Sequence, residues 1–161
     1  MPAKQLKELL DKLNVKYTAM THTTAYTAQE VASLAHIKGS ELAKTVIVRI
    51  DGELVMAVLP ASYQVDLPLL KSAAKGKKIA LASEAEFRDR FPECEVGAMP
   101  PFGQLYGMPV FVDEALAKDE EIAFSAGTHH ELIRLSYADF DRVVHPKVAN
   151  FASSSEPAIR L

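Results

Sequence analysis

Leu6, Leu9, Leu10 and Leu13 return at the spacing of one helix face, so residues 4–14 predict an amphipathic helix, with a short strand following near residues 15–20. Thr27 and Glu30 have the spacing of a capping box, in which each side chain satisfies a backbone donor at a helix start; that helix should end near Gly39. Residues 45–50 and 54–59 are almost continuously apolar and β-branched, a pattern that predicts strands covered on both faces. Between them, Asp51-Gly52 is a two-residue hairpin signal, because both residues tolerate positive φ.

Residues 68–74 read as a short helix stopped by Gly76, residues 78–82 as a strand, and Ser83 with Glu86 as a second capping box opening a helix to about Phe91. The segment GAMPPFGQLYGMP, residues 97–109, holds three glycines and three prolines, too many breakers for a helix or central strand, and reads as a shaped loop. Strands follow at residues 110–112, 121–125 and 130–135, with an acidic turn after the first and a turn at Gly127. Ser136 and Asp139 cap a last helix to about Val144. Helices and strands alternate irregularly around a hairpin, which predicts an α/β fold: a single compact domain over residues 1–145, with helices packed on a mixed, mostly antiparallel sheet. Residues 146–161 read as a C-terminal tail.

The 161 residues suffice for one self-supporting core. Charge interrupts the apolar residues of the N-terminus early, and no apolar run approaches a membrane span, so a cytoplasmic protein with no membrane partner is expected. Cys94 is the only cysteine, which excludes an intrachain disulfide and a cysteine-rich metal site. Glutamates on either side of it disfavour a reactive thiolate. A formal charge of −3 argues against a protein that coats DNA or RNA, while leaving room for contact with one RNA end.

No phosphate-binding glycine fingerprint and no GxSxG elbow is present. His129 and His130 are adjacent on a strand and point to opposite faces, and His22 is remote, so neither a metal site nor a cofactor is expected. Lys71, Lys75, Lys77 and Lys78 form the one basic cluster, open to reading as a solvated helix end or as an RNA contact. Lys44 precedes the first covered strand, where pattern alone fits a solvated loop cation as well as a ligand-binding one.

In chain order, Lys44-Thr45, Pro60, VDL at 65–67, GAMPPFG at 97–103, VFVDE at 110–114 and SAG at 125–127 resemble the YbaK/EbsC family. That family is related to the inserted editing domain of bacterial prolyl-tRNA synthetases and includes free-standing deacylases. With His22, Thr27, Glu30 and Ala32 upstream, the resemblance covers about residues 15–140. It implies hydrolysis of the ester joining a wrong amino acid to tRNA, with the aminoacyl-tRNA acceptor end as partner and a synthetase as a second candidate partner.

The family's key lysine matches Lys44, and its glycine-rich loop falls on Gly97, Ala98, Pro101 and Gly103. The resemblance thus implies catalytic roles for Lys44 and for the amides near Gly97 and Ala98. It implies a substrate surface drawn from His22, Thr45, Pro101, Gly103, Gly127 and His129. Aminoacyl esters are activated, so a placed water and stabilisation of the developing oxyanion suffice without a strong base, and the ribose 2′-hydroxyl can assist. The alternative is a catalytically silent module that binds a tRNA 3′ end, a nucleotide or a synthetase. Ala98 and Pro100, where family members often carry a second glycine and a serine or threonine, favour that alternative; Lys44-Thr45 favours the enzyme.

Overall fold

The computed structural model describes residues 4–21 and 42–154. The predicted second helix, with Thr27, Glu30 and Ala32, lies outside the described residues, as does His22. Helix α1 (Lys4–Lys12) buries Leu6 and Leu10 on one side, as its leucine spacing requires, and leads into strand β1 (Tyr17–Thr21). The hairpin of β2 (Leu42–Ile50) and β3 (Glu53–Pro60) turns on Asp51 and Gly52, at φ of 49° and 88°. β2 begins earlier than its hydrophobic run implies, so Lys44 lies inside the strand and not in front of it.

A short β4 (Tyr63–Val65) precedes helix α2 (Leu67–Ala74), which Asp66 caps by accepting from the Leu69 amide. Strand β5 (Ile79–Leu81) leads to α3 (Glu84–Phe87), where the Ser83–Glu86 capping box closes as predicted. The helix expected to reach Phe91 instead tightens into a 3-10 turn at Arg88–Arg90. Past the glycine- and proline-rich loop come β6 (Val110–Asp113), α4 (Glu114–Ala117) in place of a plain acidic turn, β7 (Glu121–Ser125), β8 (Glu131–Ser136) and α5 (Tyr137–Val144).

The expected tail is incorporated into the fold as far as it is described. β9 (Lys147–Ala149) pairs with β6, and β10 (Ala152–Ser154) pairs with β4 in a second, two-stranded sheet. Asp113 explains the anchorage. Its carboxylate, 3% exposed, accepts from the amides of Phe151, Ala152 and Ala115, joining the end of β6 to the returning chain.

The main sheet runs β1-β8-β7-β2-β3-β6-β9, with β5 also on β2. The β2–β7, β3–β6 and β6–β9 pairs are parallel and the others antiparallel, which makes the sheet mixed and mostly antiparallel, as predicted. Both faces are covered. α1, α4, α5 and the 91–108 region pack over Ala43, Ile47, Met56, Val58 and Phe124 on one face. α2 and Phe151 pack over Val48, Ile50, Ala57 and Leu59 on the other. This explains the near-continuous apolar run of the hairpin, since a strand covered on both sides has no solvent face to alternate with.

Candidate functional site

The first edge of β2 changes partner at the lysine. β7 pairs with Leu42 and Ala43, whereas β5 pairs with Val48 to Ile50. Among the described residues, Lys44 to Val46 therefore have no ladder partner on that edge, and the sheet splits there. On the other edge Lys44 is opposite the fully buried Leu59 of β3. Extending the parallel register one step past Ala43–Phe124 brings Lys44 level with Ser125, the last residue of β7.

Unbroken pairing with β3 makes side chains alternate along β2, so Lys44 shares a face with Leu42 and Val46, away from the larger core. Its neighbours Leu42, Leu59 and Ala123 are buried. Lys44 itself is half-buried, and this desolvation pushes its pKa below the ordinary lysine value. Thr45 faces the opposite side of β2, with Ala43 and Ile47, so its side chain and that of Lys44 point away from each other.

The glycine-rich loop docks at the same end of the sheet, just beyond β7. The Glu95 amide donates to the Gly127 carbonyl at 2.8 Å, and the Gly127 amide donates to the Ala98 carbonyl at 2.8 Å. His129 adds a second tie. Its backbone N–H donates to the Glu95 carboxylate at 2.6 Å, and its Nε2–H donates to the Val96 carbonyl at 2.8 Å. Gly97 sits between these ties at φ +89°, where an L side chain is strained, and a Cβ would stand 3.3 Å from the His129 ring.

The loop's amides divide into two kinds. The Ala98 N–H donates to the Glu95 carbonyl at 3.0 Å in a buried turn, so it is not available to a substrate oxygen, contrary to the expectation for Ala98. Among the described residues, the exposed Gly97 N–H donates to the Met99 thioether alone, at 3.2 Å. Sulfur is a weak acceptor that a charged oxygen readily displaces. Pro101 and Gly103 are buried. Gly103 is glycine for packing: a Cβ there would run into the Met108 carbonyl oxygen and the Val110 side chain.

Sequence reasoning missed Glu95 and Val96, which hold the loop, and Ser125, which ends β7 one residue past the last β2–β7 pair. No periodicity marks them; only the SAG motif pointed to the neighbourhood. Burial pushes the Cys94 thiol pKa up, and Sγ lies 3.6 Å from the Tyr106 hydroxyl. Among the described residues, no three His, Cys, Asp or Glu side chains are grouped to hold a metal ion.

Residues 22–143 match the family described as the aminoacyl-tRNA editing domain. The chain is 30% identical over 152 residues to the multifunctional Ser/Thr-tRNA deacylase ProXp-y of Escherichia coli K12, with 91% of this chain and 90% of that protein covered. It is 29% identical over 90 residues to the proline–tRNA ligase of Lysinibacillus sphaericus, which covers 56% of this chain but only 16% of the ligase. A crystal structure of a candidate trans-editing enzyme for prolyl-tRNA synthetase superposes with a TM-score of 0.81 at 19% identity, over 95% of this chain and 98% of that one. The fold and motifs thus find their relatives where the resemblance put them: the chain belongs to the aminoacyl-tRNA editing domain family, a family of deacylases.

Proposed function

We propose that the protein hydrolyses, in trans, the ester that joins a wrongly attached amino acid to tRNA. The observation that carries this reading is Lys44, a half-buried, desolvated cation at a split in the sheet. It follows directly on the last β2–β7 pair, at the end of the sheet where the Gly97 loop docks on Gly127. An ammonium in such surroundings interacts more strongly with a phosphate or a developing oxyanion than one in water. Lys44 supplies that charge, the Gly97 amide supplies a directed donor, and water attacks the activated ester with help from the ribose 2′-hydroxyl. Small, hydroxylated acyl groups are the proposed substrates, a choice supported by the deacylase from Escherichia coli that aligns along most of both chains. The proline–tRNA ligase relatives support a synthetase as an associated partner.

The engaged Ala98 amide favours a second reading, in which the site binds a tRNA end without turnover. A panel of purified aminoacyl-tRNAs, beginning with seryl and threonyl esters, separates the two. Deacylation above the spontaneous rate is expected. Lys44→Met, which removes the charge but keeps most of the stem, should reduce it about 100-fold or more, the scale of one lost electrostatic contact in a transition state. Lys44→Arg should recover only part, because a planar guanidinium does not reproduce a compact ammonium. A wild-type rate in Lys44→Met would reject the mechanism, and no turnover on any ester would establish the silent module.

A further inference from the structure

The basic cluster is built more deliberately than a solvated helix end. Lys71 and Lys78, with Arg49, Asp51, Gly52, Ile79 and Ala80, line a groove of about 710 Å³ at the hairpin end of the sheet. The chain carrying Lys77 and Lys78 is pinned there: both amides donate to the Asp51 carboxylate, at 2.9 and 2.8 Å to Oδ1. These bonds hold the Asp51 pKa below the ordinary carboxylate value. The groove's own carboxylate thus stays ionised, fixed by backbone donors and offsetting part of the charge of Lys71 and Lys77. Gly76 allows the close passage, since a Cβ there would stand 2.7 Å from Ile50 Cγ2. Arg49 is engaged by Glu86 at 2.7 Å and by the Gly52 carbonyl at 2.7 Å, which leaves Lys71 and Lys78 as the exposed cations facing the groove.

Arg49 is five residues along β2 from Lys44, about 17 Å at roughly 3.3 Å per strand residue; the odd separation puts the two side chains on opposite faces, and it is α2, which carries Lys71, that packs on the face of Lys44. We infer that this groove takes the phosphate backbone of the paired acceptor stem of tRNA, while the unpaired 3′ end runs on to Lys44. The inference rests on the proposed deacylation for its second half only. The groove gives the tRNA two points of support and positions its end by distance, so bases in the stem need not be read.

The test is the double variant Lys71→Gln/Lys78→Gln in the full chain. Both residues are exposed, so folding should be unaffected. Binding of uncharged tRNA, followed by fluorescence anisotropy across a salt series, should weaken about tenfold, and the slope of log affinity against log salt should fall by roughly 1.5. Deacylation of full-length aminoacyl-tRNA should lose a similar factor in kcat/KM, whereas an aminoacylated CCA oligonucleotide, too short to reach the groove, should be cleaved at the wild-type rate. An unchanged salt slope, or equal losses on the long and short substrates, overturns the inference. The binding arm needs no turnover: wild-type chain that binds tRNA through these lysines but cleaves no ester would remove the deacylation reading and leave the groove.

Discussion

Lys44 carries an energetic cost that its role explains. Its lowered pKa means that between that value and the ordinary 10.5 the unfolded chain binds more protons than the folded one, so stability rises with pH across that window. At neutral pH the charged ammonium therefore works against folding. Lys44→Met should melt at or above the wild-type temperature at pH 7, with its advantage shrinking as pH approaches 10.5, while its activity falls as argued above. A variant that melts well below wild type would show that the charge has a stabilising partner. His129 acts at one remove. Since its Nε2–H holds the Val96 carbonyl next to Gly97, His129→Ala should lower kcat about tenfold with little change in KM, the scale of one lost hydrogen bond. His129→Gln, which keeps an N–H donor, should recover part of the loss. A rise in KM with kcat unchanged would instead return His129 to direct contact with substrate.

At the scale of elements, the glycine-rich loop is a packed element whose exposed tip is Gly97. Met99, Phe102 and Met108 are in the larger core, and the carbonyl of Gly103 accepts from the amides of Tyr106 and Met108. Adding one methyl at Gly103 should therefore destabilise the fold, by roughly 1–3 kcal/mol for overpacking, and misplace the loop with it. Thermal melts of Gly103→Ala against wild type check this, and an unchanged midpoint would show that the loop yields. The prolines and glycines made this segment recognisable as a loop. The sequence does not show which amides face outward, because the acceptor of each is set by how the loop folds back on itself and docks on Gly127.

For the whole molecule, the donor set predicts chemistry without a metal. Among the described residues no group of carboxylates, imidazoles and thiols converges, and an activated ester does not require a Lewis acid. Prolonged exposure to a strong chelator should leave the deacylation rate unchanged. A loss restored by zinc would point to His22, His129 and His130 as ligands after all. Within the described residues no helix is long and apolar enough to cross a membrane. The sheet places Lys44 near the start of β2 and the groove of Lys71 and Lys78 at its hairpin end, so the proposed tRNA path has to span the strand between them.

Local chemistry was enough for the sequence to determine the Asp51-Gly52 turn, the Ser83–Glu86 capping box, the leucine face of α1 and the doubly covered hairpin, because each depends on residues a few positions apart. The ordered motifs were likewise enough for the family, since they persist as a set where no single one is decisive. Tertiary structure alone determined β4, β9 and β10, three-residue strands that exist only through partners distant in the chain. It also separated Thr45 from Lys44, closed the Ala98 amide inside a turn and gathered Lys71 and Lys78 around one groove. These outcomes depend on strand register and on which of several carbonyls captures a given amide. Both are properties of the assembled sheet, and no short stretch of sequence contains them.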